Sequence, residues 1–168
     1  MVKLSEAALR TRLSRLGLAA KLVAGLAAGI LAAGNIVAPV LLVAIGNPPP
    51  QGMSGITVAL IFSLPAFAYL YGVWTLGVTF SALARGSSLF SPALSAGLRR
   101  VGLALAAGAV TSIAVMPNLL RLAGHTQGGY LHFDTGAMAL ILTGGAVFLL
   151  GGIIDRAARQ EAAMSEFI

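Results

Sequence analysis

His125, His132 and Asp134 are the residues in this chain best equipped for chemistry. Imidazole nitrogens and a carboxylate are ligands that zinc and copper accept. The His-x-Asp spacing from 132 to 134 brings two of them close together in sequence. A third ligand would have to be His125, and Gly124, Gly128 and Gly129 break the loop that carries it. The simpler reading places all three among lipid headgroups as polar interfacial residues, so no metal and no cofactor is expected. No nucleophile–base–acid set is assembled, and G-x-S-x-G, H-E-x-x-H and phosphate-loop patterns are absent. Cysteine is absent too, which excludes disulfides, thiolate metal sites and a cysteine nucleophile. The expectation is a protein that is not an enzyme.

The elements around these residues set their context. Four apolar stretches, 22–46, 56–84, 101–120 and 137–154, contain no Lys, Arg, Asp or Glu. All eleven basic and all five acidic residues lie outside them. Charged residues make up 10% of the chain, against roughly a quarter in a soluble protein. A water-facing surface cannot be built from that inventory. A helix of about 20 apolar residues crosses about 30 Å of hydrocarbon. The chain therefore reads as one all-α domain over 1–168, a four-helix transmembrane bundle.

Residues 1–16 precede the first span. Leu9, Leu13 and Leu16 make an apolar stripe, with Arg10, Arg12 and Arg15 largely off it. This predicts a short amphipathic N-terminal helix at the membrane surface, or an ordinary basic flank. The apolar run after it is longer than the core of a signal peptide, so it is expected to stay as a span. Pro39 should kink it. Asn47-Pro48-Pro49-Pro50 forms a stiff, uncharged loop. The second span holds Pro65, Tyr69, Tyr71 and Trp74 and runs close to Arg85, longer than the bilayer requires. Ser91-Pro92 is a helix start leading past Arg99 and Arg100 into the third span. Pro117-Asn118 is expected to weaken or end that span. Asp155 and Arg156 open a helical tail. No internal repeat is apparent.

Basic residues give an orientation. Lys3, Arg10, Arg12, Arg15 and Lys21 precede the first span, Arg85, Arg99 and Arg100 lie between the second and third, and Arg156 and Arg159 follow the fourth. Arg121 alone lies on the other side. The positive-inside rule predicts both termini in the cytoplasm. The Ala/Gly/Leu-rich composition suits a bacterial inner (plasma) membrane. A net charge of +6 in such a protein is expected to meet anionic lipid headgroups at the cytoplasmic face. No nucleic-acid-binding pattern accompanies it, so no direct nucleic-acid contact is expected.

Inside the spans no acid, base or histidine occurs, which argues against ion coupling by this chain alone. Asn35, Ser63, Thr75, Thr79, Thr111, Ser112, Asn118 and Thr143 are the polar residues in or near them. Gly25 and Gly29 form a G-x-x-x-G pair, and Gly144, Gly145, Gly151 and Gly152 a small-residue face. Such residues let helices approach closely, within one chain or between two.

The stretch LGVTFSALARGSSLFSPALSAGLRRVG, 76–102, resembles the bacterial membrane family DUF2975. The resemblance rests on Ala84-Arg85-Gly86, Phe90-Ser91 and Leu98-Arg99-Arg100-Val101-Gly102, and on the closing Glu166-Phe167-Ile168. Ser87 stands where the family often has an acid, and the gap from Gly86 to Phe90 is one residue longer. The resemblance implies four spans and a function not yet characterised, often beside a small helix-turn-helix regulator. Arg85, Phe90, Arg99 and Arg100 are the candidate site, for cytoplasmic docking of a protein partner or for lipid-headgroup contact. The expected function is a non-enzymatic membrane interaction protein, a regulatory partner or accessory subunit of a larger complex. The alternative is a small transporter or channel component acting as an oligomer.

Overall fold

A computed structural model describes residues 6–46, 52–85, 92–124 and 130–165. The described chain is helical almost throughout: α1 (Glu6–Ala32), a π turn (Ala33–Val37), α2 (Ala38–Ala44), α3 (Gly52–Ala84), α4 (Pro92–Val110), a second π turn (Thr111–Val115), α5 (Met116–Leu122) and α6 (Thr135–Ser165). Four segments are long and apolar enough to cross a membrane: Ala8–Leu42, Gly55–Ala84, Pro92–Leu122 and Thr135–Glu161. In hydrocarbon every backbone group must be bonded internally, which is why apolar spans become helices.

Two expectations change. The N-terminal basic segment is no separate surface helix: from Glu6, α1 runs unbroken into the first span. Its Ala-, Leu- and Arg-rich sequence contains no proline and favours helix on both sides of Lys21. The third span does not stop at Pro117 but continues to Leu122. The helical tail from Asp155 is present as expected, continuous with the fourth span in α6. The 33 residues of α3 extend about 50 Å, well beyond the hydrocarbon.

Pro39 and Pro117 are accommodated in the same way. Pro117 has no N–H, so the Ile113 carbonyl loses its i+4 donor, and Pro39 does the same to Asn35. Just before each proline the helix widens to i+5 bonding, Ala38 N–H to the Ala33 carbonyl and Met116 N–H to the Thr111 carbonyl. The widened turn makes room for the ring without ending the helix.

Packing is dense between neighbours in the order α1–α3–α4–α6. Large side chains contribute little to it. Leu26 is 69% exposed and Leu142 76%, as lipid-facing residues are. Small residues make the contacts instead. Gly102 on α4 meets the Gly144 carbonyl and Phe148 on α6, and Gly151 meets the Ser95 carbonyl and Arg99. The next step of that register sets Ala109 opposite Ala137, both buried. Ser95, Gly102 and Ala109 recur every seven residues on α4, and Ala137, Gly144 and Gly151 on α6. This heptad seam is the spacing of left-handed helix packing, narrowed to backbone-on-backbone contact. Between α3 and α4, Thr79 packs on Gly97, Gly72 on Ala104 and Tyr69 on Gly108.

The two halves of the row share one plan. Seventy-eight residues separate Pro39 from Pro117 and Gly46 from Gly124, and the same step carries the first π turn onto the second and α2 onto α5. Each of these seven-residue helices is followed by a glycine with positive φ, 74° at Gly46 and 77° at Gly124. That left-handed position is a common helix stop, open to glycine without steric cost. A step of 74 residues carries Gly77 onto Gly151, Trp74 onto Phe148 and Arg85 onto Arg159. The crossings agree atom for atom. A Cβ on Gly77 would meet the Gly17 oxygen at 2.9 Å, Lys21 N at 3.1 Å and Lys21 Cγ at 2.8 Å. On Gly151 it would meet the Ser95 oxygen at 2.9 Å, Arg99 N at 3.1 Å and Arg99 Cγ at 2.9 Å. The fold is thus a helical hairpin used twice, α1–α3 and α4–α6. The sequence hides this because the connections differ in length and the shared positions are mostly Ala, Gly, Leu and Val.

Candidate functional site

Several polar groups within the spans are occupied by their own helices. The hydroxyls of Ser63, Thr75, Thr79 and Thr111 each donate to the carbonyl four residues back at 2.8 Å. Ser63, Thr75 and Thr79 are buried, and among the described residues no buried side-chain polar atom lacks a partner. A hydroxyl bonded to its own backbone offers a substrate little beyond its lone pairs. Asn118 Nδ2 donates to the Ala114 carbonyl at 2.7 Å and the Tyr130 carbonyl at 2.8 Å, tying the returning loop to α5.

That loop forms a cluster at the end of the row away from most of the basic residues. His132 N–H donates to the Ile113 carbonyl at 2.9 Å, replacing the bond that Pro117 removed. The Arg121 guanidinium lies 4.3 Å from the centroid of the Tyr130 ring, a cation–π contact. Asp134 caps α6: its Oδ1 accepts from Gly136 N–H at 2.8 Å, and its backbone carbonyl accepts from Met138 N–H at 3.0 Å. His132 contributes its backbone, Asp134 is a cap, and His125 lies outside the described residues. No cluster of three His, Cys, Asp or Glu occurs among the described residues.

Of the predicted site residues, Arg85 and Arg100 are exposed at the opposite, basic end of the row. Arg85 N–H closes the last turn of α3 on the Ala82 carbonyl at 3.1 Å. Arg99 is turned toward α6, where its guanidinium lies 5.3 Å from the Phe148 ring centroid and beside Gly152. Phe90 lies outside the described residues. Arg156 and Arg159 extend the basic end along α6, with Arg159 bonded to Asp155 at 2.7 Å one turn back. A Cβ on Gly25 or Gly29, the G-x-x-x-G pair, would meet nothing within 4 Å on another element among the described residues, whereas Gly144 and Gly151 pack on α4.

Lys21 and Ser81 were not singled out from the sequence. The Lys21 ammonium donates to Ser81 Oγ at 2.9 Å, and that hydroxyl donates on to the Gly77 carbonyl at 2.7 Å. Lys21 is half-buried between α1 and α3. The available signal was paired spacing: Gly17 and Lys21, like Gly77 and Ser81, are one helical turn apart.

Four helices of membrane-spanning length, lipid-facing aliphatic surfaces and glycine-lined crossings define a multi-pass α-helical membrane protein. The chain matches no family model, no curated protein and no solved structure.

Proposed function

We propose that this chain is a non-enzymatic interaction protein of the bacterial inner membrane, with both termini in the cytoplasm. In this reading it serves a larger complex as a regulatory partner or accessory subunit, docking through its basic end. One observation carries it. Arg85 and Arg100 are exposed, with no side-chain partner among the described residues, while the buried hydroxyls of Ser63, Thr75 and Thr79 are internally bonded. A surface whose side chains are unspent is the one available to another molecule. The resemblance of 76–102 to DUF2975, with its frequent helix-turn-helix neighbour, favours a transcriptional regulator as the docked partner.

The test compares wild type with the combined Arg85→Ala and Arg100→Ala variant, crosslinked in membranes and purified in mild detergent. Mass spectrometry should find a heterologous protein with wild type and lose it with the variant, while insertion and orientation stay unchanged. Recovery of the same partner with the variant overturns the docking surface.

The alternative, a small transporter or channel component acting as an oligomer, is favoured by the paired π turns. Proline-interrupted helices at matching positions of two repeats are where transporters place binding sites. Recovery of homo-oligomers alone in the same experiment supports it.

A further inference from the structure

One difference between the two hairpins concerns charge. In the second hairpin, Asp155 and Arg159 follow the crossing Gly151 by four and eight residues and pair with each other at 2.7 Å. Ser81 and Arg85 hold those positions in the first hairpin, after Gly77. The acid is missing while both cations are kept: Lys21 stands for Arg99, and Arg85 for Arg159. Lys21 is half-buried, its stem lies against Gly77, and its ammonium meets the neutral Ser81 hydroxyl. Among the described residues no carboxylate pairs with it. An ammonium has three donors, and the described protein takes one. Arg99 differs again, resting over the Phe148 ring. The first hairpin thus presents two cations and a hydroxyl on adjacent turns where the second supplies its own counter-ion.

The site sits where a charge-free span begins. Leu22 follows Lys21 immediately, and Ser81 and Arg85 occupy the last turns of α3. With the charge-free stretch in hydrocarbon, these residues would stand at the level of phospholipid phosphates, which Lys and Arg reach by extending along apolar surface. We propose that Lys21 and Arg85, with the Ser81 hydroxyl holding the Lys21 ammonium in place, form a binding site for the phosphate of one anionic phospholipid, a site the second hairpin has lost to Asp155. This proposal does not depend on the docking reading, since it concerns lipid retained by the protein alone.

The test is native mass spectrometry of the full chain in mild detergent, titrated separately with phosphatidylglycerol and phosphatidylcholine. Wild type should retain one phosphatidylglycerol in preference to phosphatidylcholine. Lys21→Met keeps an unbranched apolar stem over Gly77 and removes the charge, and retention should fall about fivefold, as expected for one basic residue near a membrane surface. Lys21→Arg should restore it. Ser81→Asp installs the second hairpin's carboxylate and should lower retention by at least as much, with the thermal midpoint confirming a folded protein. The proposal is overturned if wild type does not distinguish the two lipids, or if Lys21→Met retains phosphatidylglycerol as wild type does. Displacement of the lipid by millimolar inorganic phosphate would mean a site for a soluble anion and would overturn it too.

Discussion

The glycine seam between α4 and α6 makes a demanding prediction at Gly102. An alanine there places its Cβ against the Gly144 carbonyl oxygen, with Phe148 N at 2.7 Å and Phe148 Cβ at 2.9 Å. Ordinary Cβ contacts begin near 3.4 Å. The obstructing atoms are largely backbone, so a rotamer change cannot relieve them and α6 must retreat. A gap of about 0.5–1 Å forfeits a quarter to a half of the dispersion attraction along the contact. Overpacking of this kind costs about 1–3 kcal/mol. Alanine opposes it with a helix-propensity gain of about 0.5–1 kcal/mol over glycine. Gly102→Ala should therefore lose about 1–2 kcal/mol net. Gly25→Ala is the control. A Cβ on Gly25 would meet nothing within 4 Å on another element among the described residues, so only the propensity gain applies and stability should rise slightly. The chain has no cysteine, which makes a direct assay simple. A single thiol at buried Ala137, on the α6 side of the seam, is labelled only when the seam opens. Labelling in micelles should be about tenfold or more faster with Gly102→Ala than with Gly25→Ala, about 1.4 kcal/mol being tenfold. Equal labelling rates for the two variants would refute the seam.

Two further perturbations address the far end. Asp134→Ala removes the cap of α6 and should cost about 1 kcal/mol, with faster hydrogen exchange confined to the amides of Gly136 and its neighbours. Bound zinc should be absent from wild type and variant alike, and a stoichiometric metal lost on Asp134→Ala would contradict the capping role. Pro117→Ala restores a donor for the Ile113 carbonyl, which should release His132 N–H and speed its exchange while α5 stays helical. Unchanged His132 protection would show that the loop is held by other contacts.

The second span illustrates how far sequence could go. Its helix, its length in excess of the bilayer and its basic end near Arg85 all follow from one uninterrupted apolar run with an arginine after it. The helix start at Pro92 was legible from proline's place in a first helical turn, but the sequence left open whether that helix continues into the third span, and α4 from Pro92 to Val110 shows that it does. Asp134 was legible only as a carboxylate between His132 and Thr135. Nothing local told a metal ligand from a cap until Gly136 N–H was placed 2.8 Å from it. Gly25-x-x-x-Gly29 shows the converse, a recognisable motif on a face that meets nothing, while Gly144 and Gly151 form the working contact at sevenfold spacing.

The sequence by itself determined the solvent, the number of spanning helices and the end that collects charge. These follow from composition along each segment, because transfer from water to hydrocarbon is an additive property of neighbouring residues. Only the tertiary structure decided which glycines touch, that one hairpin is used twice, and that Lys21 meets Ser81. Those depend on residues far apart in the chain, 60 positions for Lys21 and Ser81, and on the register of helix crossings. Composition leaves that register open in a chain so rich in small residues, because many registers bury similar surfaces and only backbone approach selects among them.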